Sequence, residues 1–138
     1  MEYIEAIKFL FDLPRHRIGP GTNSTSKLLD FLGNPHIGNN YIHITGSNGK
    51  GSVSKMISSI LIESDLKVGL YTSPHLFDFR ERIVVNNHSI SHQSICDFVD
   101  LISPYITNHQ SSSPLPTFFE VTTALAFWHF SNEDVDVA

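Results

Sequence analysis

The sequence predicts an α/β fold with a P-loop-type, mainly parallel sheet and flanking helices, present only in part. Three observations carry this. A β-branched and aromatic run at 41–44, YIHI, breaks into the glycine-rich turn TGSNGKGS. Apolar residues then recur at helical spacing, at Val53, Met56, Ile57, Ile60 and Leu61. A second strand-like run, LKVGLYTS, follows that helix and completes a βαβ unit. A third, DVDVA, stands at the end of the sequence, after a stretch that is apolar nearly all round.

In chain order, residues 2–13 place Ile4, Ile7 and Phe11 on one helical face, with Pro14 as the stop. RHRIGPGTNST is a loop by its Gly, Pro and turn residues. Ser24 or Ser26 caps a helix through Leu32, which Gly33-Asn34-Pro35 closes. The strand at 41–44, its glycine loop and a long helix reaching Ser64 come next. RIVVNNHSIS reads as a hairpin around Asn86-Asn87, residues 93–102 as an amphipathic helix, and HQSSSPLP as a solvated loop. FFEVTTALAFWHF is a buried helix. Val135 and Val137 alternate with acids as a third strand begins. A central parallel strand rarely closes a domain without a crossover, so residues 1–138 are expected to be the N-terminal part of a longer domain.

With 138 residues and 41% hydrophobic content, the chain can bury one core. A net charge of -5 and the lack of a basic block argue against a nucleic-acid surface. No apolar run approaches the roughly 20 residues that cross a bilayer. The acidic N-terminus reads as an amphipathic helix rather than a signal peptide. The single cysteine, Cys96, fits a reducing, cytoplasmic setting, with an organellar form left open. Its apolar neighbours Ile95, Phe98 and Val99 make it a buried structural thiol.

The glycine turn carries the chemistry. The first amides of a helix lack intrahelical partners, and the helix dipole favours an anion there. Gly46, Gly49 and Gly51 let a phosphate approach the main chain, Lys50 supplies a cation, and the Ser52 hydroxyl can face a magnesium ion. The usual phosphate loop, G-x-x-x-x-G-K-[ST], is not met, because Ile44 stands five before Gly49. The loop Thr45-Gly46-Ser47-Asn48-Gly49-Lys50-Gly51-Ser52 is tighter at its front and has glycine after the lysine. The competing interpretation is a strand-to-helix turn with a surface lysine.

Ligands in open α/β sheets sit off the carboxyl ends of strands. A second such end, YTSPHLFDFRERI, offers the hydroxyls of Thr72 and Ser73 before Pro74, either to a ligand or only to a capped turn. His75 is placed to line the cleft, with no assigned role. Arg80, Glu81 and Arg82 form either an exposed charge cluster or a flap over the nucleotide. His88 and His92 stand four apart, a metal spacing on a helix, but one falls in the hairpin and the other at a helix start.

HITGSNGKGS, VGLYTSPHL, RERIVVNNHSIS and PTFFEVTTALAF, in this order, closely resemble the folylpolyglutamate synthase/dihydrofolate synthase family of Mur-type ligases. LFDLPRHRIGPG and LLDFLGNP resemble that family's opening, so the resemblance covers essentially the whole chain. It implies that ATP phosphorylates a carboxylate and that glutamate attacks the acyl phosphate. The acceptor is folate or dihydropteroate, and the complete protein is a monomer. By the same resemblance, Ser73 coordinates Mg2+. Thr117, Phe118, Phe119 and Glu120 contribute to a pterin site, and Ile18, Gly19 and Pro20 form a further contact. Aromatic faces suit a flat heterocycle and a carboxylate suits its amino groups, while core packing competes for both phenylalanines. Further magnesium ligands, the rest of the ATP-binding domain and a C-terminal domain are expected beyond Ala138, leaving the isolated chain unable to ligate glutamate. The other readings are a phosphotransferase acting on a hydroxyl and a truncated product that binds nucleotide without catalysis.

Overall fold

The computed structural model describes residues 1–16, 21–108 and 114–138. Its elements are α1 (Tyr3–Phe11), α2 (Asn23–Phe31), α3 (Lys50–Glu63), β1 (Gly69–Tyr71), a single 3-10 turn (Phe79–Arg82), β2 (Ile83–Val85), β3 (His88–Ser89), α4 (His92–Thr107) and α5 (Phe118–Asn132). They divide into two compact units, Met1–Pro35 with Ser91–Trp128 and His36–Ile90 with His129–Ala138.

The first unit is helical. α1 packs on α4, and Leu10, Leu28, Ile95, Phe98, Val99, Ile102, Val121 and Leu125 are buried. Helical spacing sends these side chains to one face, where burial removes apolar surface from water. Cys96 is buried among them. The start of α2 differs from expectation. Its N-cap is Thr22, with no side-chain cap bond, and Ser24 is buried inside the first turn. α4 is longer than expected and runs through Pro104. Proline cannot donate to the Asp100 carbonyl, but the Ser103 hydroxyl donates to it at 3.3 Å, so the helix continues. The other end of α4 is capped by Ser91, whose Oγ accepts the Ser94 N–H at 3.0 Å.

The second unit holds the sheet. Its regular ladder is antiparallel, β1-β2-β3, with Leu70 opposite Val84. Asn86 and Asn87 both have positive φ, 45° and 65°, the backbone that a two-residue hairpin turn requires. Parallel pairing is confined to the other edge of β1. The Gly69 N–H donates to the Val137 carbonyl at 2.9 Å, and the Val137 N–H to Lys67 at 3.4 Å. Beyond, the Ile42 N–H donates to Ala138 at 2.8 Å and the Ala138 N–H to Asn40 at 2.9 Å. Residues 136–138 therefore lie between 40–42 and 67–69 and run parallel to both. The expected strand at 41–44 is extended but joins no regular ladder, and the expected third strand is a single bridge at Val137. Parallel direction matters for the site, because it sends both the 41–44 segment and β1 out at the same edge of the sheet.

The expected buried stripe of α3 is a correction. Val53, Met56 and Ile60 are exposed, Met56 at 64%, and the buried residue is Ser58. Periodicity locates an apolar stripe but not the neighbour that covers it. α3 meets β1 through a face where Ile57 and Leu61 are only half-buried. At the base of β1, a Cβ on Gly69 would stand 2.7 Å from the buried Phe130 ring, so glycine is needed there for room. No helix among the described residues is long and apolar enough to cross a membrane.

Candidate functional site

The glycine loop leaves the 41–44 segment and becomes α3 at Lys50. Gly46 has φ 149° and Gly49, the N-cap, φ 76°, backbone states that side chains with a Cβ disfavour. Gly51 is different, with ordinary helical φ and no atom within 4 Å of a Cβ built there. The first intrahelical bond runs from the Val53 N–H to the Gly49 carbonyl at 3.0 Å. The amides of Lys50, Gly51 and Ser52 precede it and have no helical acceptor. Ser47, Asn48 and Ser52 are exposed. Lys50 arches back over the loop, and its Nζ donates to the Gly46 carbonyl at 2.6 Å. The cation is thereby held at the loop whose helix-opening amides have no helical acceptor, an arrangement suited to a polyphosphate.

The turn after β1 is braced by its own side chains. The Thr72 N–H donates to the Arg82 carbonyl at 3.0 Å, which closes residues 72–82 into a loop, and the Ser73 hydroxyl is exposed at its start. Arg82, 8% exposed, donates from Nε to His75 Nδ1 at 2.7 Å. A guanidinium can only donate, so His75 Nδ1 is the acceptor. Asp78 accepts the Arg80 amide at 2.9 Å and its guanidinium at 2.7 and 2.9 Å. Glu81 accepts three successive amides, from Leu76 at 2.9 Å, Phe77 at 3.0 Å and Asp78 at 2.7 Å. The Leu76 amide first, then those of Asp78 and Phe77, hold the Glu81 carboxyl below its ordinary value of 4.5. Arg80, Glu81 and Arg82 are thus internal braces of the loop. The D-x-x-E pattern at 78–81 carries the capping box that places Glu81 here, a local signal beyond the charge cluster or flap expected of it.

The third cluster, in the first unit, opens α5. The Thr117 amide donates to Glu120 Oε2 at 2.8 Å and the Glu120 amide to Thr117 Oγ1 at 3.3 Å, a reciprocal capping box. The two phenylalanines between them part company. Phe118 is buried, its ring 5.2 Å from that of Phe11 and 4.3 Å below the Arg15 guanidinium. Phe119 is 57% exposed and presents an aromatic face. Ile18, Gly19 and Pro20 lie outside the described residues. His88 Nδ1 lies 2.9 Å from the Asn86 carbonyl, whereas His92 belongs to the first unit, where its ring stacks on Tyr3. Among the described residues, no three His, Cys, Asp or Glu gather to hold a metal.

Fold and loop together define an α/β domain in which a glycine-rich loop leads from an extended segment into α3 and a braced turn follows β1. Along its whole length the chain is similar to folylpolyglutamate synthases and their bifunctional relatives, of which it spans about a third or less. It is 50% identical over 139 residues to a probable bifunctional folylpolyglutamate synthase/dihydropteroate synthase of Halobacterium salinarum, spanning all of this chain and 17% of that protein. All of it also superposes on the folylpolyglutamate synthetase of Lactobacillus casei, with a TM-score of 0.92, 37% identity and 35% of that chain covered. A complex of such an enzyme (FPGS) with AMPPCP and folate matches with the same TM-score of 0.92 and 37% identity, over 34% of its length. No protein-family model matches the chain.

Proposed function

We propose that the full-length protein joins L-glutamate to a folate-type carboxylate at the expense of ATP. Residues 1–138 would form the N-terminal part of its Mur-type ATP-binding domain. The observation that carries this reading is the cradle at 45–52, where two glycines with positive φ open a helix under the arched Lys50. The match to enzymes of that name supports the reaction class.

In this reaction a carboxylate oxygen attacks the γ-phosphorus, and the bond to the β-γ bridging oxygen breaks with release of ADP. The glutamate amine then attacks the acyl carbon, loses a proton, and expels phosphate as the amide forms. Phosphoryl transfer asks for placement and charge neutralisation. The amides of Ser47, Asn48, Gly49, Lys50 and Gly51 would hold the β- and γ-phosphates, and Lys50 would exchange its bond to Gly46 for a phosphate oxygen. Hydroxyl oxygens suit a hard cation, so the exposed Ser73, with Ser52 in the first turn of α3, fits Mg2+. Bound there, Mg2+ would offset negative charge on the phosphates. Phe119 offers an apolar face to a flat pterin, with Thr117, Phe118 and Glu120 shaping the helix entrance behind it. The reading takes folate or dihydropteroate as acceptor, a cytoplasmic setting and a monomer, with no nucleic acid or membrane partner.

The test is ADP release by the full-length protein, with tetrahydrofolate and dihydropteroate supplied separately. Release that requires both glutamate and one of the two pteridines is expected. Release indifferent to glutamate, with phosphate found on a hydroxyl acceptor, would replace the ligase with a phosphotransferase.

A further inference from the structure

Resting on the ligase reading above, we propose that Glu81 is a positioning residue: its carboxylate fixes the backbone of the turn that carries Ser73. Packing anchors only the far end of this turn, where Phe79 and Arg82 are buried. Leu76 is 82% exposed and Phe77 94%, so neither side chain anchors it to a core. Its two ends are pinned by the Thr72–Arg82 backbone bond, and its middle converges on Glu81. One oxygen takes the Phe77 and Asp78 amides while the other takes Leu76, so both are engaged by consecutive residues. Arg82, held among buried groups, reaches the same segment through His75.

Three amides in a row make an anion-seeking concavity. Glu81 fills it from inside, so these amides are already satisfied and offer no second seat for a phosphate. The nucleotide is thereby directed to the open amides of 45–52. Ser73, two residues after Tyr71 and three before Leu76, is held between β1 and the clamp. Loss of the carboxylate would free the backbone on one side of Ser73 and leave the strand on the other. The reaction would then suffer through misplacement, while affinity for ATP, set by the other loop, would stay.

The two oxygens allow a graded test in the full-length protein. In Glu81→Gln, the remaining carbonyl oxygen can keep the Phe77 and Asp78 bonds and release Leu76; Glu81→Ala releases all three. Amide hydrogen exchange should quicken by about tenfold at Leu76 alone in Glu81→Gln and at all three positions in Glu81→Ala. Glutamate-dependent ADP release should lose about threefold in kcat for Glu81→Gln and about thirtyfold for Glu81→Ala, with KM for ATP changed less than about twofold. A fold-wide structural defect would instead lower the thermal midpoint and disturb both parameters, which would overturn the proposal. Wild-type kcat in Glu81→Ala, or unchanged exchange at residues 76–78, would overturn it too. If Glu81→Ala does not fold, Glu81→Gln decides: a freed Leu76 amide with unchanged kcat sinks the idea. A wild-type protein without glutamate-dependent release would instead remove the ligase reading, and the exchange pattern would still show whether the clamp exists.

Discussion

Two loops leave the same edge of the sheet in the second unit, and they hold their shapes differently. Residues 45–52 are shaped by backbone: Gly46 and Gly49 take positive φ, and Lys50 Nζ reaches back to the Gly46 carbonyl. In residues 72–82 no φ is positive, and side chains do the shaping through Glu81, Asp78–Arg80 and Arg82–His75. A backbone-shaped loop leaves its helix-opening amides without helical acceptors, and a Cβ at its sharp positions strains the backbone. A side-chain-braced loop consumes its amides internally and loses order by degrees.

The largest effect should come from Lys50→Ala in the full-length protein. The variant removes the charge that the open loop supplies, so kcat for glutamate-dependent ADP release should fall about a hundredfold or more. Its side-chain bond to the Gly46 carbonyl is exposed, so the thermal midpoint should barely move. Near-normal turnover would break the assignment of the binding role to 45–52. Gly69→Ala acts on the frame beneath the second loop. It drives a methyl against the Phe130 ring and should cost about 1–3 kcal/mol in denaturant unfolding. Unchanged stability would mean that Phe130 moves freely aside. In the first loop, Gly49→Ala faces no crowding, only a φ of 76°, and should cost about 1–2 kcal/mol. A neutral result would show that the loop is not held in that backbone state.

The smallest effects come from pH and separate the loops most cleanly. Glu81 has a lowered pKa, so its contribution is complete above 4.5 and is lost as pH falls through its folded value. Acidification should reduce exchange protection at Leu76, Phe77 and Asp78 and spare 45–52, which has no carboxylate. His129 behaves likewise in a higher window. Burial holds it below its ordinary 6.5, with Lys67 adding to the depression and Glu133 opposing it. The unfolded chain then binds the proton first, so stability present above pH 6.5 declines as pH falls through the folded value. His129→Gln should flatten that slope in thermal midpoints taken between pH 7.5 and pH 5.5. An unchanged slope would remove His129 as its source.

Local chemistry made several features legible before any fold was known. Gly46, Gly49 and Lys50 announce the cradle because positive φ, a helix start and a cation are needs met within a few residues. Asn86-Asn87 announces a hairpin because both residues tolerate the left-handed region. Thr117 and Glu120 could have been recognised as a capping box, since T-x-x-E is equally local. Other features depend on what lies opposite. Periodicity marked Val53, Met56 and Ile60, yet only tertiary packing decided that they stay exposed. Composition grouped Phe118 with Phe119, and the fold buried one against Phe11 and left the other in solvent. The glycine at position 69 has an ordinary φ, and its necessity comes from Phe130, distant in sequence. The sequence by itself therefore determined the cradle and the turns, where each residue satisfies a requirement of its own backbone. The tertiary structure alone decided which faces are covered and how far the parallel pairing extends, because these depend on partners remote along the chain.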